Sequence, residues 1–140
     1  MTLRELDRYR DMRKQLIDGE ELLERLRGRA VPGSPATDGM PHASGTSDKV
    51  GSLAIAIVDL EARLPVLKAR IEAQGKDVVE WIDMIEDHKI RLSFRLRYQL
   101  AYTWKEVADA LGDWETEEGV KQRCYRYLNL SEEGLYDEID

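Results

Sequence analysis

Little in this sequence invites covalent or metal chemistry. A single cysteine, Cys124, can form neither an internal disulfide nor the ligand set of a structural zinc site, and it fits a reducing compartment. Histidines number two, His42 and His88, and no phosphate-cradling glycine loop occurs. No apolar run approaches the roughly 20 residues of a membrane helix, which excludes a bilayer span. The opening MTLRELDRYRDMRKQL alternates charges and has no apolar block ahead of a small-residue cleavage site, so a secretory signal is not expected and a cytoplasmic location is. Three of the four prolines are confined to one stretch, GRAVPGSPATDGMPHASGTS. That leaves the rest of the chain open to long helices.

What is present is charge. Of 140 residues 35% are charged and 42% hydrophobic, and the mean hydropathy of −0.53 with a pI near 5.0 is the profile of a soluble helical protein. The net charge of −7 is unevenly spread. Residues 1–28 are balanced, 29–88 carry 6 basic against 10 acidic side chains, 89–128 carry 8 against 6, and five carboxylates fill the tail from 129 onward. Only the third of these segments has a positive excess.

The spacing predicts helices. Leu3, Leu6, Tyr9, Met12, Leu16, Leu23 and Leu26 recur every three or four residues and define a first helix over 1–27, weakened where Gly19 falls on the stripe. Residues 28–47 have the composition of a flexible linker. Over 48–75, Val50, Ile57, Leu64 and Ile71 lie seven apart with Leu53, Leu60 and Leu67 three further on, a heptad pattern that must pack against another helix. Ser47 or Asp48 is the expected cap, and Pro65 the expected kink. The partner of this face is either the first helix, in coiled-coil-like antiparallel packing, or a second copy in a homodimer. Beyond Gly75, Val78, Trp81, Ile82 and Ile85 predict a third helix ending near His88. IRLSFRLRYQL alternates like a strand, but no second strand is available to pair with it, so a helix is the better expectation.

Two short helices follow. Thr103 and Glu106 form a capping box, with Tyr102 and Val107 at the staple positions and Gly112 as terminator. Thr116 is placed to cap the next helix, with Glu117 and Glu118 favourable at its N-terminus. Val120, Cys124, Tyr127 and Leu128 make its inward stripe and leave Lys121, Gln122, Tyr125 and Arg126 outside or flanking. Cys124 is expected to be a small buried hydrophobe, and Trp104 and Trp114 to be packing anchors. Asp83, Glu86, Asp87 and His88 cluster in sequence, but an acidic helix end is ordinarily solvated, so no catalytic group, metal site or cofactor is expected. The fold class is therefore all-α: long N-terminal helices, a C-terminal helix-turn-helix domain over 76–130, and an acidic tail, 131–140. That tail is expected either to fray or to fold over the neighbouring basic surface.

LRLRYQLAYTWKEVADALG followed by TEEGVKQRCYRYL resembles the last conserved region of sigma factors, and from about Thr37 to Leu128 the chain is similar to small phage-encoded proteins of that region-four-like kind, relatives of late-operon transcriptional regulators. SDKVG, IVDLE and TWKEVADALG carry the likeness most strongly. The turn DWETEEG is longer and more acidic than in sigma factors, which points to an accessory regulator. The resemblance implies a helical fold that binds double-stranded DNA through residues 116–128. Thr116, Lys121, Gln122, Arg123, Tyr125 and Arg126, joined by Lys105, are the expected DNA-contacting set, since such a helix needs donors for base edges and cations for phosphates. The competing expectation is a helical adaptor, in phage assembly or as a partner of RNA polymerase, that holds a protein and no DNA.

Overall fold

The computed structural model describes residues 1–30 and 43–139, and these form helices joined by short turns with no strand among them. In chain order they are α1 (Leu3–Ala30), α2 (Ala43–Gln74), α3 (Lys76–Asp83), α4 (His88–Phe94), a π-helical turn (Arg95–Gln99), α5 (Trp104–Leu111) and α6 (Glu117–Ile139). The described side chains exclude 43–50 and 131–139, so the cap residues Ser47 and Asp48, heptad position Val50 and the apolar tail residues lie outside them, as do residues 31–42 at the centre of the expected linker. No described helix is long and apolar enough to cross a membrane. The chain divides into two compact units: Met1–Lys14 with Ile71–Asp140, and Gln15–Arg70.

The smaller unit pairs the second part of α1 with α2. Leu16 and Leu23 of α1 are buried, while Leu53, Ile57, Leu60, Leu64 and Leu67 are half-buried along α2. The two helices run in opposite senses, for Gly19 lies against Leu64 and Arg27 ion-pairs with Glu61 at 3.0 Å. Gly19 does not interrupt the packing as its position suggested. A Cβ there would stand 2.6 Å from Leu64 Cδ2, so the missing side chain is what admits the leucine. Both helices overrun their expected ends: α1 continues to Ala30, and α2 begins at Ala43, ahead of the predicted cap. α2 also runs on through Pro65 as one element.

The larger unit is built from the first residues of α1 and everything after Arg70. Thr2 and Glu5 open α1 with reciprocal side-chain bonds to each other's backbone amides at 3.2 and 3.0 Å, a capping box legible in TLRE. Leu6 and Tyr9 are buried with Ile71, Val78, Ile82 and Ile85. α3 ends at Asp83 instead of reaching His88, because Asp87 turns the chain into a new helix by accepting from the Ile90 amide at 2.9 Å. The alternating stretch is helical. Its period breaks because the chain widens into the π-helical turn, where the Leu100 amide reaches back to the Arg95 carbonyl at 3.1 Å. The wider turn carries Tyr98 inward, stacked on Phe94 at 5.7 Å, and burial pushes its phenol above the ordinary tyrosine value. Trp81 meets Phe94 edge-on at 5.1 Å and Trp104 meets Tyr98 at 6.3 Å, so one aromatic cluster spans α3, α4, the π-helical turn and α5.

The chain between the π-helical turn and α5 has a left-handed residue, Ala101, at φ +59. Three arginines hold it: Arg10 donates to the carbonyls of Ala101 and Tyr102 at 3.1 and 3.2 Å, Arg13 to Gln99 at 2.8 Å, and Arg97 to Tyr102 at 3.1 Å. Burial, with the neighbouring Arg97 second, lowers Arg10 below the usual arginine value.

Gly75 is the most closely surrounded glycine of this unit: an added Cβ would clash with the Tyr9 ring and lie 2.6 Å from the Ile71 carbonyl oxygen. Gly75→Ala is expected to destabilise the protein by about 2 kcal/mol or more, since backbone and an aromatic ring must both move. Gly51→Ala, in open space on α2, should instead stabilise it by about 0.5–1 kcal/mol. Urea titrations of the two variants beside the wild type check both signs.

Candidate functional site

α5 and α6 pack against each other in the larger unit. Thr103 Oγ1 accepts from the Glu106 amide at 3.1 Å, and Glu106 returns a carboxylate to the Thr103 amide at 3.0 Å. Those bonds hold the Glu106 carboxyl below the ordinary glutamate value. Trp104, Val107 and Ala108 are buried, so α5 starts where its capping box predicts and faces inward as its apolar residues require. Gly112 ends it at φ +135 with extended ψ, a conformation that side-chain-bearing residues rarely adopt.

The turn that follows is organised by one acid. The carboxylate of Glu115, only 8% exposed, accepts from Lys89 of α4 and from the Arg123 guanidinium of α6, with Nη2 to Oε2 at 3.1 Å. Hydrogen bonds from the two cationic donors hold its carboxyl below the ordinary glutamate value. Beside it Trp114 is 98% exposed. The expectation that Trp114 anchors the packing is therefore overturned, because Glu115 takes the inward position of the turn and the indole points to solvent. Asp113, Glu117 and Glu118 around it are exposed as well. Trp104, by contrast, is the core residue that its sequence position suggests, with the Arg97 guanidinium 4.7 Å above its ring.

α6 begins as Thr116 Oγ1 accepts from the Gly119 amide at 3.0 Å. Val120, Cys124 and Leu128 are buried and Tyr127 is half-buried. Burial pushes the Cys124 thiol up to about 12, which makes it a packing residue and a poor nucleophile. The seven residues expected to contact DNA fall into distinct settings. Gln122 and Arg126 are exposed one turn apart, with Gln122 Nε2 donating to Glu118 at 2.8 Å. Lys121 and Tyr125 flank them half-buried, the ammonium 5.8 Å from the tyrosine ring and that ring edge-on to Trp104 at 6.0 Å. Arg123 lies on Glu115, Thr116 is engaged as the cap, and Lys105 is exposed on α5. The helix thus brings Lys121, Gln122, Tyr125 and Arg126 to one side and commits Arg123 and Thr116 to the scaffold.

Much of the positive excess of residues 89–128 is likewise committed. Lys89 and Arg123 meet Glu115, Arg91 donates to the Ile85 carbonyl at 2.7 Å, Arg95 pairs with Asp83 at 2.7 Å, and Arg97 holds Tyr102. The acidic run near 83–88 is similarly structural, since Asp83 binds Arg95, Asp87 caps α4, and His88 Nδ1 lies 3.0 Å from Arg91. Among the described residues no group of three or more His, Cys, Asp or Glu is placed to hold a metal ion. Glu115 is the residue that sequence reasoning missed. Its signal, one acid of four in DWETEEG standing eight residues before Arg123, emerges only when α4 brings Lys89 alongside.

No family model matches the chain, and neither do any curated protein or solved structure.

Because the folded carboxyl of Glu115 lies below its ordinary value of 4.5, the stability that it contributes is present above that pH and fades as pH falls through the depressed value. Glu115→Gln should lower the thermal midpoint by a few degrees at pH 7, and the gap to wild type should close in melts at pH 3. Cys124 should react with a thiol reagent at pH 8 far more slowly in the native protein than in urea. Equal rates would mean that the thiol is not held in the core.

Proposed function

We propose that the chain binds double-stranded DNA through α6, as a phage-type transcriptional regulator of the sigma region-four-like kind. The observation that carries this reading is the outward line of Gln122 and Arg126, flanked by Lys121 and Tyr125, on a helix whose start is fixed by the Thr116 cap and whose opposite side is buried against its neighbours. A side chain that reads a base edge must be presented by a rigid element, and a bidentate amide with adjacent cations is the group such readout uses. In this arrangement Gln122 exchanges its Glu118 partner for a base, Arg126 and Lys121 meet phosphate or guanine, and Lys105 approaches the backbone from α5. Arg123 acts indirectly by fixing the turn through Glu115. Such a protein works in the cytoplasm, has no need of a cofactor or catalytic group, and has RNA polymerase as a further candidate partner.

A second reading rests on Trp114. An indole almost wholly in solvent, within four residues of the exposed Asp113, Glu117 and Glu118, suits a basic protein surface better than a phosphate backbone, which those carboxylates repel. On that reading the helical pair is an adaptor that holds a protein partner.

Fluorescence anisotropy of a mixed-sequence duplex, titrated with the full chain across a salt series, separates the two. DNA binding predicts affinity that falls steeply with salt and drops at least about tenfold in Lys121→Glu/Arg126→Glu, while Trp114→Ser binds like wild type. No binding at low salt, or binding that the double variant leaves unchanged, would remove α6 as the DNA-binding element.

A further inference from the structure

Three large exposed apolar side chains, Ile55, Val58 and Val66, share one side of α2 at 72, 65 and 61% exposure. Ala62 and Ala69 continue their line, also exposed, so the stripe recurs at three- and four-residue steps. At about 100° per residue it lies on the side of the helix opposite Leu53, Ile57, Leu60, Leu64 and Leu67. Those five face α1, as the contacts of Leu64 with Gly19 and of Glu61 with Arg27 require. α2 therefore carries two heptad-spaced apolar stripes, of which α1 occupies one. Ala54, Ile55, Val58 and Ala62 line a shallow groove on the other.

We propose that a second copy of this chain covers that stripe, α2 against α2 in antiparallel sense about a two-fold axis. Charge decides both the occupant and the direction. With Ile55, Val58, Ala62, Pro65 and Ala69 along the seam, Glu61 and Lys68 fall on the same flank, one heptad apart. Antiparallel helices bring like flanks together in reverse order, so Glu61 of one copy faces Lys68 of the other, and the two-fold axis repeats the pair. A parallel pairing brings no opposite charges together on either flank. On the remaining flank Arg63 and Asp59 already neutralise each other at 2.8 Å. Ala62, near the axis, lets the two backbones approach. The chain's own segment 31–42, VPGSPATDGMPH, offers only Val31 and Met40 as sizeable apolar side chains and neither lysine nor arginine. A contact confined to this part of one helix per copy falls below the ~1,200 Å² of a standard interface, the class in which association is weak and transient.

Sedimentation equilibrium of the full chain over a micromolar concentration series tests this without reference to DNA, so its result does not depend on the function proposed above. The weight-average mass should rise from 16.1 kDa towards twice that value. Val58→Glu should stay monomeric at every concentration while keeping the wild-type helical circular dichroism. Lys68→Glu, which places like charges on the flank, should weaken association about tenfold, and adding Glu61→Lys to it should restore wild-type association. That double exchange forfeits the exposed Arg27–Glu61 pair, which contributes little to stability. A wild-type mass of 16.1 kDa throughout, a dimer that survives Val58→Glu, or a double exchange no better than Lys68→Glu alone would each overturn the proposal.

Discussion

Carbonyl groups freed where a helix ends must find donors, and at one place in this protein three arginines supply them. The π-helical turn leaves the carbonyls of Gln99, Ala101 and Tyr102 without continuing helical partners, and Arg13, Arg10 and Arg97 donate to them. Two of the three come from α1, far away in sequence. Their bonds hold Ala101 in a left-handed conformation that would otherwise cost about 1 kcal/mol, and so aim the chain at Thr103. From there the capping box sets the start of α5, and the burial of Trp104 and Val107 sets its face. Glu115 repeats the device with the sign reversed: one carboxylate, almost shielded from solvent, joins α4 to α6 and fixes the entry into the last helix.

This use of charge alters how the composition should be understood. A count of basic residues over 89–128 suggests a cationic face, yet five of the eight are engaged with carbonyls or carboxylates of the same unit. The positive charge persists, but its position serves the fold. The outward side of α6 is accordingly a mixed surface, with Arg126 and Lys121 beside Glu118, and any partner must match its pattern of donors and acceptors more than its net field.

Features governed by neighbours in sequence were legible. The Thr103–Glu106 box, the Gly112 stop, the Thr116 cap and the inward line of Val120, Cys124 and Leu128 all follow from short spacings. The all-helical class was legible too, because a solitary alternating stretch has no strand to pair with. Features governed by distant segments were not. Gly19 looked like a flaw in a stripe until Leu64 was seen to occupy its space. Trp114 looked like an anchor because nothing local distinguishes it from Trp104; the difference is that Glu115 has two cations waiting inside and the indole has no cavity. The end of α3 was misplaced because Asp83 and Asp87 look alike in sequence, and only the bond to the Ile90 amide marks the second as a cap. Within the candidate site the outward direction of Gln122 and Arg126 could be read from the helical period, whereas the diversion of Arg123 to Glu115 could not.

Leu6, Tyr9, Arg10 and Arg13 belong to the core and scaffold of the unit that ends the chain, although residues 15–70 separate them from the rest of it. The proline-rich stretch is therefore no seam between independently folding modules. A piece beginning after it would lack part of its own interior, and the first helix alone would have nothing to fold upon. Cut at that stretch, the chain would be left as two pieces, each without side chains that the other packs against.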